Sequence, residues 1–221
     1  NLMSSIFLAI TCLFLNKVFR FFKITLLLRA CLILLFIFNP MIILYGANGM
    51  SEIIAICFFV ATIYYFLSYL KSGNTLFLIG TSASTSLAIM TRYEMAALVP
   101  MIIGILIVSR IRINKSKKIN KKILKVTEGE LLLYGIPVIF TISIWILANW
   151  AIMHNPFYFI NSVYSNTSQS SQLLNQSSYY RNLSHNIPSS FLYVGQRVIV
   201  LFPSFILLVA ILPEIYSEYF L

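Results

Sequence analysis

The run from Ser51 to Leu70, SEIIAICFFVATIYYFLSYL, contains a single charged side chain, Glu52, near its start. A helix needs about 20 largely apolar residues to cross roughly 30 Å of hydrocarbon. Inside a bilayer the backbone must satisfy its own hydrogen bonds, which favours a helix for such a run. The whole chain is 59% hydrophobic and 10% charged, which is too apolar for a soluble domain. The sequence therefore indicates a membrane protein.

Similar apolar runs recur along the chain and are separated by short polar segments. We predict an all-α, polytopic transmembrane helix bundle of about seven spans that forms one domain over residues 1–221. The predicted spans are Leu2–Leu15, Ile24–Phe38, Ser51–Leu70, Thr75–Met90, Met95–Ser109, Glu130–Met153 and Phe191–Leu212. Several are short, so their ends can extend by a turn into flanking polar residues.

The distribution of basic residues predicts the orientation of these spans. The net charge is +10, and the Lys and Arg side chains cluster in residues 16–23 and 110–129, with Lys71 in a predicted turn at 71–74. The positive-inside rule places such segments in the cytoplasm. The stretch from Thr75 to Ser109 is either two short spans around TRYE or one long helix, and only two spans put all three basic segments on one side. The outer face then receives residues 39–50, 91–94 and 154–190.

The basic segments do not require a nucleic-acid partner. A juxtamembrane loop that faces anionic lipid head groups explains the lysines on the orientation rule alone. The cysteines, Cys12, Cys31 and Cys57, all fall inside predicted spans, and no metal-binding spacing is present. We therefore expect the bilayer, and not nucleic acid, as the partner of these loops.

Three charged residues meet at the predicted outer boundary: Glu52, Arg92 and Glu94. If residues 91–94 are helical, Arg92 and Glu94 project to nearly opposite faces and cannot pair. Arg92 would then meet Glu52 from the neighbouring hairpin, or hold a phosphate. Glu52 also suits a helix N-terminus, where a carboxylate interacts well with the dipole, and Gly46 and Gly49 before it permit a turn. Ionisable groups at a membrane boundary that face a cavity favour a functional site.

Other polar residues have competing interpretations. Arg197 lies about two turns from the outer end of the last span, where it either snorkels outward or completes the same basic pocket. His154 lies beside a turn and is a weak candidate for a ligand or proton carrier. Gly80, Ser84 and Ala88 have a small-xxx-small spacing that predicts close helix packing and not a site.

The segments FNPMIILYGANGMSE, LAIMTRYEMAALVP and NWAIMHNPFYFINSVYSN occur in an order that resembles the GT-C superfamily of integral membrane glycosyltransferases. The likeness covers about residues 1–165 and is closest to the prokaryotic relatives of the protein mannosyltransferase and aminoarabinose transferase group. It implies transfer of a sugar from a polyprenyl-phosphate donor to a glycan, lipid or protein acceptor at the outer or lumenal face. It also implies a location in the plasma membrane of a prokaryote, with the active side outward.

This resemblance assigns expected roles to the polar residues. Arg92, and after it Arg197, would neutralise the departing lipid phosphate. The resemblance assigns no definite cofactor and allows a divalent cation. The expected substrate-positioning residues are Asn39, Asn48, Glu52, Tyr93, Glu94 and His154.

One part of the family pattern is missing from this chain. The superfamily's main catalytic carboxylate is an aspartate in the first outer loop, and the chain contains no Asp. We expect that aspartate upstream of Asn1, with Glu52 and Glu94 as auxiliary groups.

Two other classes of protein remain open at this stage. A polytopic lipid or solute transporter, or flippase, also places charges in outward cavities, but its sites tend toward the bilayer midplane. A structural subunit of a membrane complex would use the charges for packing alone. The concentration of polar residues at one boundary favours the transferase.

Overall fold

The structure, a computed structural model, describes residues 2–115, 121–162 and 186–201, together with positions 165, 168, 170–172 and 175. All regular secondary structure in these residues is helical, which confirms the predicted all-α class. In chain order the elements are α1 (Leu2–Phe21), α2 (Leu26–Ile37), α3 (Pro40–Asn48), α4 (Ser51–Ser72), α5 (Thr75–Thr91), a 3-10 helix (Tyr93–Ala97), α6 (Leu98–Lys115), α7 (Lys121–Met153), α8 (Tyr158–Asn161) and α9 (Ile187–Leu201).

Four helical segments of the described chain are long and apolar enough to cross a membrane. They are Leu2–Phe21, Ser51–Ser72, Tyr93–Arg110 and Glu128–Met153. The bent pair α2 and α3 adds a fifth if the two helices form one span. The described residues therefore support four to five spans, and the predicted count of seven is not confirmed.

The second predicted span, Ile24–Phe38, differs most from the structure. The helix ends at Ile37, and after a bend of 63° α3 begins at Pro40. The side-chain oxygen of Asn39 accepts a hydrogen bond from the backbone N–H of Met41 at 2.9 Å, which caps α3. Proline suits the first position of a helix and cannot continue an earlier one, so Asn-Pro both ends and restarts the helix. The predicted outer loop 39–50 thus contains a helix of nine residues.

Two other predicted spans differ in length. The prediction Thr75–Met90 agrees with α5, but 17 residues are fewer than a perpendicular crossing needs. The prediction Phe191–Leu212 overlaps α9, which begins at Ile187 and is described to Leu201, and the rest lies outside the described residues.

The predicted cytoplasmic loops are shorter than expected. Helix α1 continues to Phe21, α6 continues to Lys115 and α7 begins at Lys121, so helices occupy much of segments 16–23 and 110–129. Lysine and arginine favour helix and do not end one, so charge alone is a poor marker of a helix boundary.

The turn at 71–74 is confirmed. Gly73 ends α4 with a left-handed φ of 68°, which favours glycine. Asn74 then caps α5 by accepting from the N–H of Leu76 at 3.0 Å.

The chain divides into two compact units. The first comprises Asn1–Ile33 and Leu44–Trp145, and the second comprises Leu34–Ile43 and Ile146–Leu221. In the first unit α4 packs against both α1 and α5, and aromatic pairs such as Phe7 with Phe58 join α1 to α4. Its apolar core is drawn from α4, α5, α6 and α7, with these buried residues: Phe66, Tyr69, Leu78, Ile89, Leu98, Ile102, Leu106, Tyr134 and Val138.

The contact between α4 and α5 is the most extensive among the described helices. The Thr62 hydroxyl donates to the Ser84 hydroxyl oxygen across it at 3.0 Å. A Cβ at Gly80 would lie 3.0 Å from ring atoms of Tyr65, and Ala88 is fully buried. The predicted small-xxx-small packing of Gly80, Ser84 and Ala88 is therefore confirmed, because small side chains allow two helices to approach closely.

The second unit contains α8, α9 and the segment around Asn39. Asparagine begins several of its turns: Asn155 accepts from the N–H of Phe157 at 3.0 Å, and Asn186 accepts from that of Ser189 at 3.4 Å. The predicted outer loop 154–190 therefore includes α8 and the first residues of α9.

We predict that Gly80→Leu lowers the free energy of unfolding by about 1–3 kcal/mol, because the added side chain must displace the Tyr65 ring. The matched control is Gly104→Leu on α6, where a Cβ meets no atom within 4 Å. Thermal unfolding in detergent measures both variants. Equal stability of the two would contradict the close contact of α4 with α5.

Candidate functional site

The helical path breaks at Arg92, between α5 and the 3-10 helix. The backbone of Arg92 is extended, with φ −147° and ψ 119°. Its N–H donates to the carbonyl of Ala88 at 2.9 Å, which closes α5, and its carbonyl accepts from the N–H of Met95 at 3.0 Å, which opens the next turn. The break between two helices, predicted from the basic residues, is confirmed at this position.

Arg92 contacts two carboxylates. Its Nη1 donates to Glu52 Oε1 at 2.6 Å, its Nε to Glu94 Oε2 at 3.1 Å and its Nη2 to Glu94 Oε1 at 3.3 Å. The expected contact with Glu52 from the neighbouring hairpin is therefore present. The argument against an Arg92–Glu94 pair assumed a helix, and it fails because Arg92 is extended. We call Glu52, Arg92 and Glu94 the outer triad.

The outer triad combines one cation with two carboxylates. The side chains of Arg92, Glu52 and Glu94 are 32%, 28% and 33% exposed, so a ligand can reach all three. The hydrogen bonds with Glu94 raise the pKa of Arg92 above its ordinary value and outweigh desolvation, which lowers it. Arg92 is thus a cation between two carboxylates. A guanidinium has five N–H groups, and three of them make these contacts, which leaves two for a ligand.

The first turn of α4 positions Glu52. The N-cap residue is Met50, which makes no side-chain cap, so Glu52 supplies the negative charge at this helix end. Gly49 has a positive φ of 71°, which confirms its predicted turn. Gly46 instead lies inside α3, where its carbonyl accepts from the Ser4 hydroxyl at 2.8 Å. The dipole and the ion pair with Arg92 therefore both act on Glu52.

The other predicted site residues are divided between the two units. Tyr93 is half-buried at the start of the 3-10 helix, beside the outer triad in sequence, and Asn48 is exposed at the end of α3. Asn39, His154 and Arg197 belong to the second unit.

Each of those three has its own local setting. Asn39 is 3% exposed and caps α3. His154 is exposed and has a left-handed φ of 53° after the end of α7. The Arg197 Nε donates to Tyr193 Oη at 3.1 Å, and its guanidinium lies 5.1 Å from the centre of that ring. This contact is one helical turn away along α9, so it explains the Arg197 conformation locally.

The sequence analysis missed a second cluster, formed by Tyr69, Arg110 and Glu130. Arg110 Nε donates to Glu130 Oε2 at 2.9 Å, Arg110 Nη2 also contacts Glu130 Oε1, and Nη2 donates to Tyr69 Oη at 3.0 Å. The Glu130 side chain is only 8% exposed. Glu130 stands at the edge of an apolar run, and this position was the available signal for the cluster. A carboxylate that is buried there needs a cation as its partner.

Metal-binding residues do not cluster in the described part of the chain. No group of three or more His, Cys, Asp or Glu side chains there could hold a metal ion. The outer triad supplies two carboxylates, but Arg92 lies between them.

Several apolar helices of spanning length and a charged cluster at one helix boundary define an integral membrane protein with a polar site. A family model described as dolichyl-phosphate-mannose-protein mannosyltransferase matches residues 1–145. The chain belongs to this family, which identifies it as a membrane glycosyltransferase in general terms and confirms the resemblance to GT-C enzymes. The match includes the outer triad and does not favour a transporter. Neither a curated protein nor a solved structure matches the chain.

We predict that Arg110→Ala lowers the free energy of unfolding by about 3–5 kcal/mol, because it leaves the buried Glu130 carboxylate without its cation. The double variant Arg110→Met with Glu130→Met should recover much of that loss, since it removes both charges. Thermal unfolding in detergent measures both. A change of less than about 0.5 kcal/mol in the single variant, as at an ordinary surface site, would contradict a structural role for the pair.

Proposed function

We propose that the protein transfers a sugar from a polyprenyl-phosphate donor to a hydroxyl of a glycan, lipid or protein acceptor. The family model that matches residues 1–145 is named for dolichyl-phosphate-mannose, which is a sugar on a polyprenyl phosphate. The site of transfer is the outer or lumenal face, where the positive-inside rule places the outer triad. The cellular location is the plasma membrane of a prokaryote.

The proposed reaction is a displacement at the anomeric carbon. The acceptor hydroxyl oxygen forms a bond to that carbon, and the bond from the carbon to the donor phosphate oxygen breaks with its electron pair on the phosphate. A carboxylate takes the hydroxyl proton. The protein must therefore orient a hydroxyl and stabilise the charge that develops on a lipid phosphate.

The observation that carries the proposal is that Arg92 joins two carboxylates from separate elements, with all three side chains partly exposed. Its two remaining N–H groups are the proposed donors to the phosphate, and a planar guanidinium suits that geometry. Arg197 is the second candidate for the phosphate.

The carboxylates of the outer triad have a different proposed role. Glu52 accepts from Arg92 at Oε1, while an ionised carboxylate has about four lone-pair sites, so it can still accept from a sugar or acceptor hydroxyl. Glu94, which accepts from two N–H groups of Arg92, has the same proposed role. We assign both to substrate positioning, with Asn39, Asn48, Tyr93 and His154 as further candidates for it.

Arg92→Lys tests the assignment of Arg92 to the donor phosphate, because lysine keeps the positive charge but lacks the planar guanidinium group. We expect transfer of mannose from a polyprenyl-phosphate mannose donor, measured in membranes that contain the protein, to fall about 100-fold in kcat/KM. A lysine cannot bind two carboxylates and a phosphate at once with fixed geometry.

The matched control is Arg29→Lys on α2, where the Arg29 Nη1 contacts Asn16 and not the outer triad. It should keep transfer within about twofold at equal expression, as a conservative change away from the reacting groups. Full activity of Arg92→Lys would remove Arg92 from the site. No transfer from any polyprenyl-phosphate sugar by the unaltered full-length protein would overturn the proposed function itself.

A further inference from the structure

A second polar feature lies at the other end of α4. An open cavity of about 650 Å³ lies between the end of α1, the end of α4 and the start of α5, all in the first unit. We call it the basic pocket. Its lining residues are Lys17, Arg20, Phe21, Tyr64, Ser68, Lys71, Ser72 and Phe77.

The charged side chains of the basic pocket are all positive. Lys17, Arg20 and Lys71 are its charged residues, and no acidic side chain lines it. The ion pairs found among the described residues involve Arg92 and Arg110 and none of these three cations. Three like charges around one cavity repel each other, and an anion between them would relieve that repulsion.

Aromatic rings hold the ammonium groups beside the cavity. Lys17 Nζ lies 5.2 Å from the centre of the Tyr64 ring, and Lys71 Nζ lies 5.3 Å from that of Phe21. A cation at this distance from a ring face is attracted to it and is held in place. The two ammonium groups therefore have a preferred position beside the cavity, although their side chains are exposed.

The serine hydroxyls of the basic pocket are already engaged. Ser68 donates to the carbonyl of Tyr64 at 2.8 Å, and Ser72 donates to that of Ser68 at 2.8 Å. The donors available to a ligand are thus the ammonium and guanidinium groups, together with the phenol of Tyr64. Such a set suits an anion with several oxygens, and phosphate in particular.

The distance along α4 indicates where the anion comes from. Glu52 and Lys71 are near opposite ends of this helix, and a rise of 1.5 Å per residue separates them by about 28 Å. That is close to the thickness of the hydrocarbon core, so the basic pocket lies at the membrane boundary opposite the outer triad. Lipid phosphates occupy that depth, and basic pockets between transmembrane helices bind anionic head groups.

We propose that the basic pocket binds the phosphate head group of an anionic membrane phospholipid. Lys17, Arg20 and Lys71 contact the phosphate oxygens, and the rings of Phe21 and Phe77 line the apolar side of the cavity. This site is separate from the outer triad and does not take part in sugar transfer. Its failure would leave the proposed function untouched.

Thermal unfolding of the purified protein in detergent tests the proposal, with phosphatidylglycerol as the probe and phosphatidylcholine as the zwitterionic reference. Phosphatidylglycerol should raise Tm in a saturable way, and phosphatidylcholine should not. Lys17→Gln and Lys71→Gln, made separately, should each weaken the apparent affinity for phosphatidylglycerol roughly fivefold. If one of these two variants fails to fold, the other still tests the proposal.

The matched control is Lys23→Gln, which removes the same charge from the neighbouring turn but does not line the basic pocket. Its apparent affinity should stay within about twofold of the original protein at 0.15 M salt, where distant charges are screened. An equal loss in Lys23→Gln would show diffuse attraction and overturn the site. An equal Tm shift with inorganic phosphate at the same concentration, or no shift with phosphatidylglycerol, would overturn the assignment to a lipid head group.

Discussion

The contact of Arg92 with Glu52 and Glu94 connects three elements that meet at one end of the first unit. α4 supplies Glu52 from its first turn, and the 3-10 helix supplies Glu94. The cation lies in the single extended residue between α5 and that helix. Charges at a membrane boundary are costly unless paired, so this ion pairing stabilises the break after α5 and joins it to the first turn of α4. The proposed transfer site depends on the same contact.

The first unit has charged contacts toward both ends of α4. Arg92 binds carboxylates near Ser51, while Tyr69, close to the other end, accepts a hydrogen bond from Arg110, which in turn pairs with Glu130. Between them the α4–α5 contact is made by small and hydroxyl-bearing residues such as Gly80 and Ser84. Close backbone packing and interhelical hydrogen bonds are the interactions that join helices in lipid, where hydrophobic burial gives little.

The sequence predicted the helical class, α4, the turn at Gly73 and the packing role of Gly80, because apolar length, glycine and small-residue spacing act locally. It did not predict the pair Arg92–Glu94, since that contact depends on one residue leaving the helical conformation. It also did not predict the pair of Arg110 with Glu130. Arg110 is one of many cations in a basic segment, and the sequence does not show which of them pairs with a buried carboxylate. Asn39 was predicted as a site residue, and the structure shows it as the cap of α3. The adjacent Pro40 was the available signal for a helix start, but the spans were predicted from hydropathy alone.

The central claim is that Arg92 couples α4 to the break that follows α5. A double-mutant cycle with Glu52→Gln and Arg92→Gln measures this coupling directly. The quantity measured is the free energy of unfolding in detergent of the original protein, the two single variants and the double variant. Residues in direct contact usually show an interaction energy of about 0.5–3 kcal/mol, and we predict a value in that range that stabilises the folded protein. Additivity of the two single changes to within about 0.3 kcal/mol would contradict the claim.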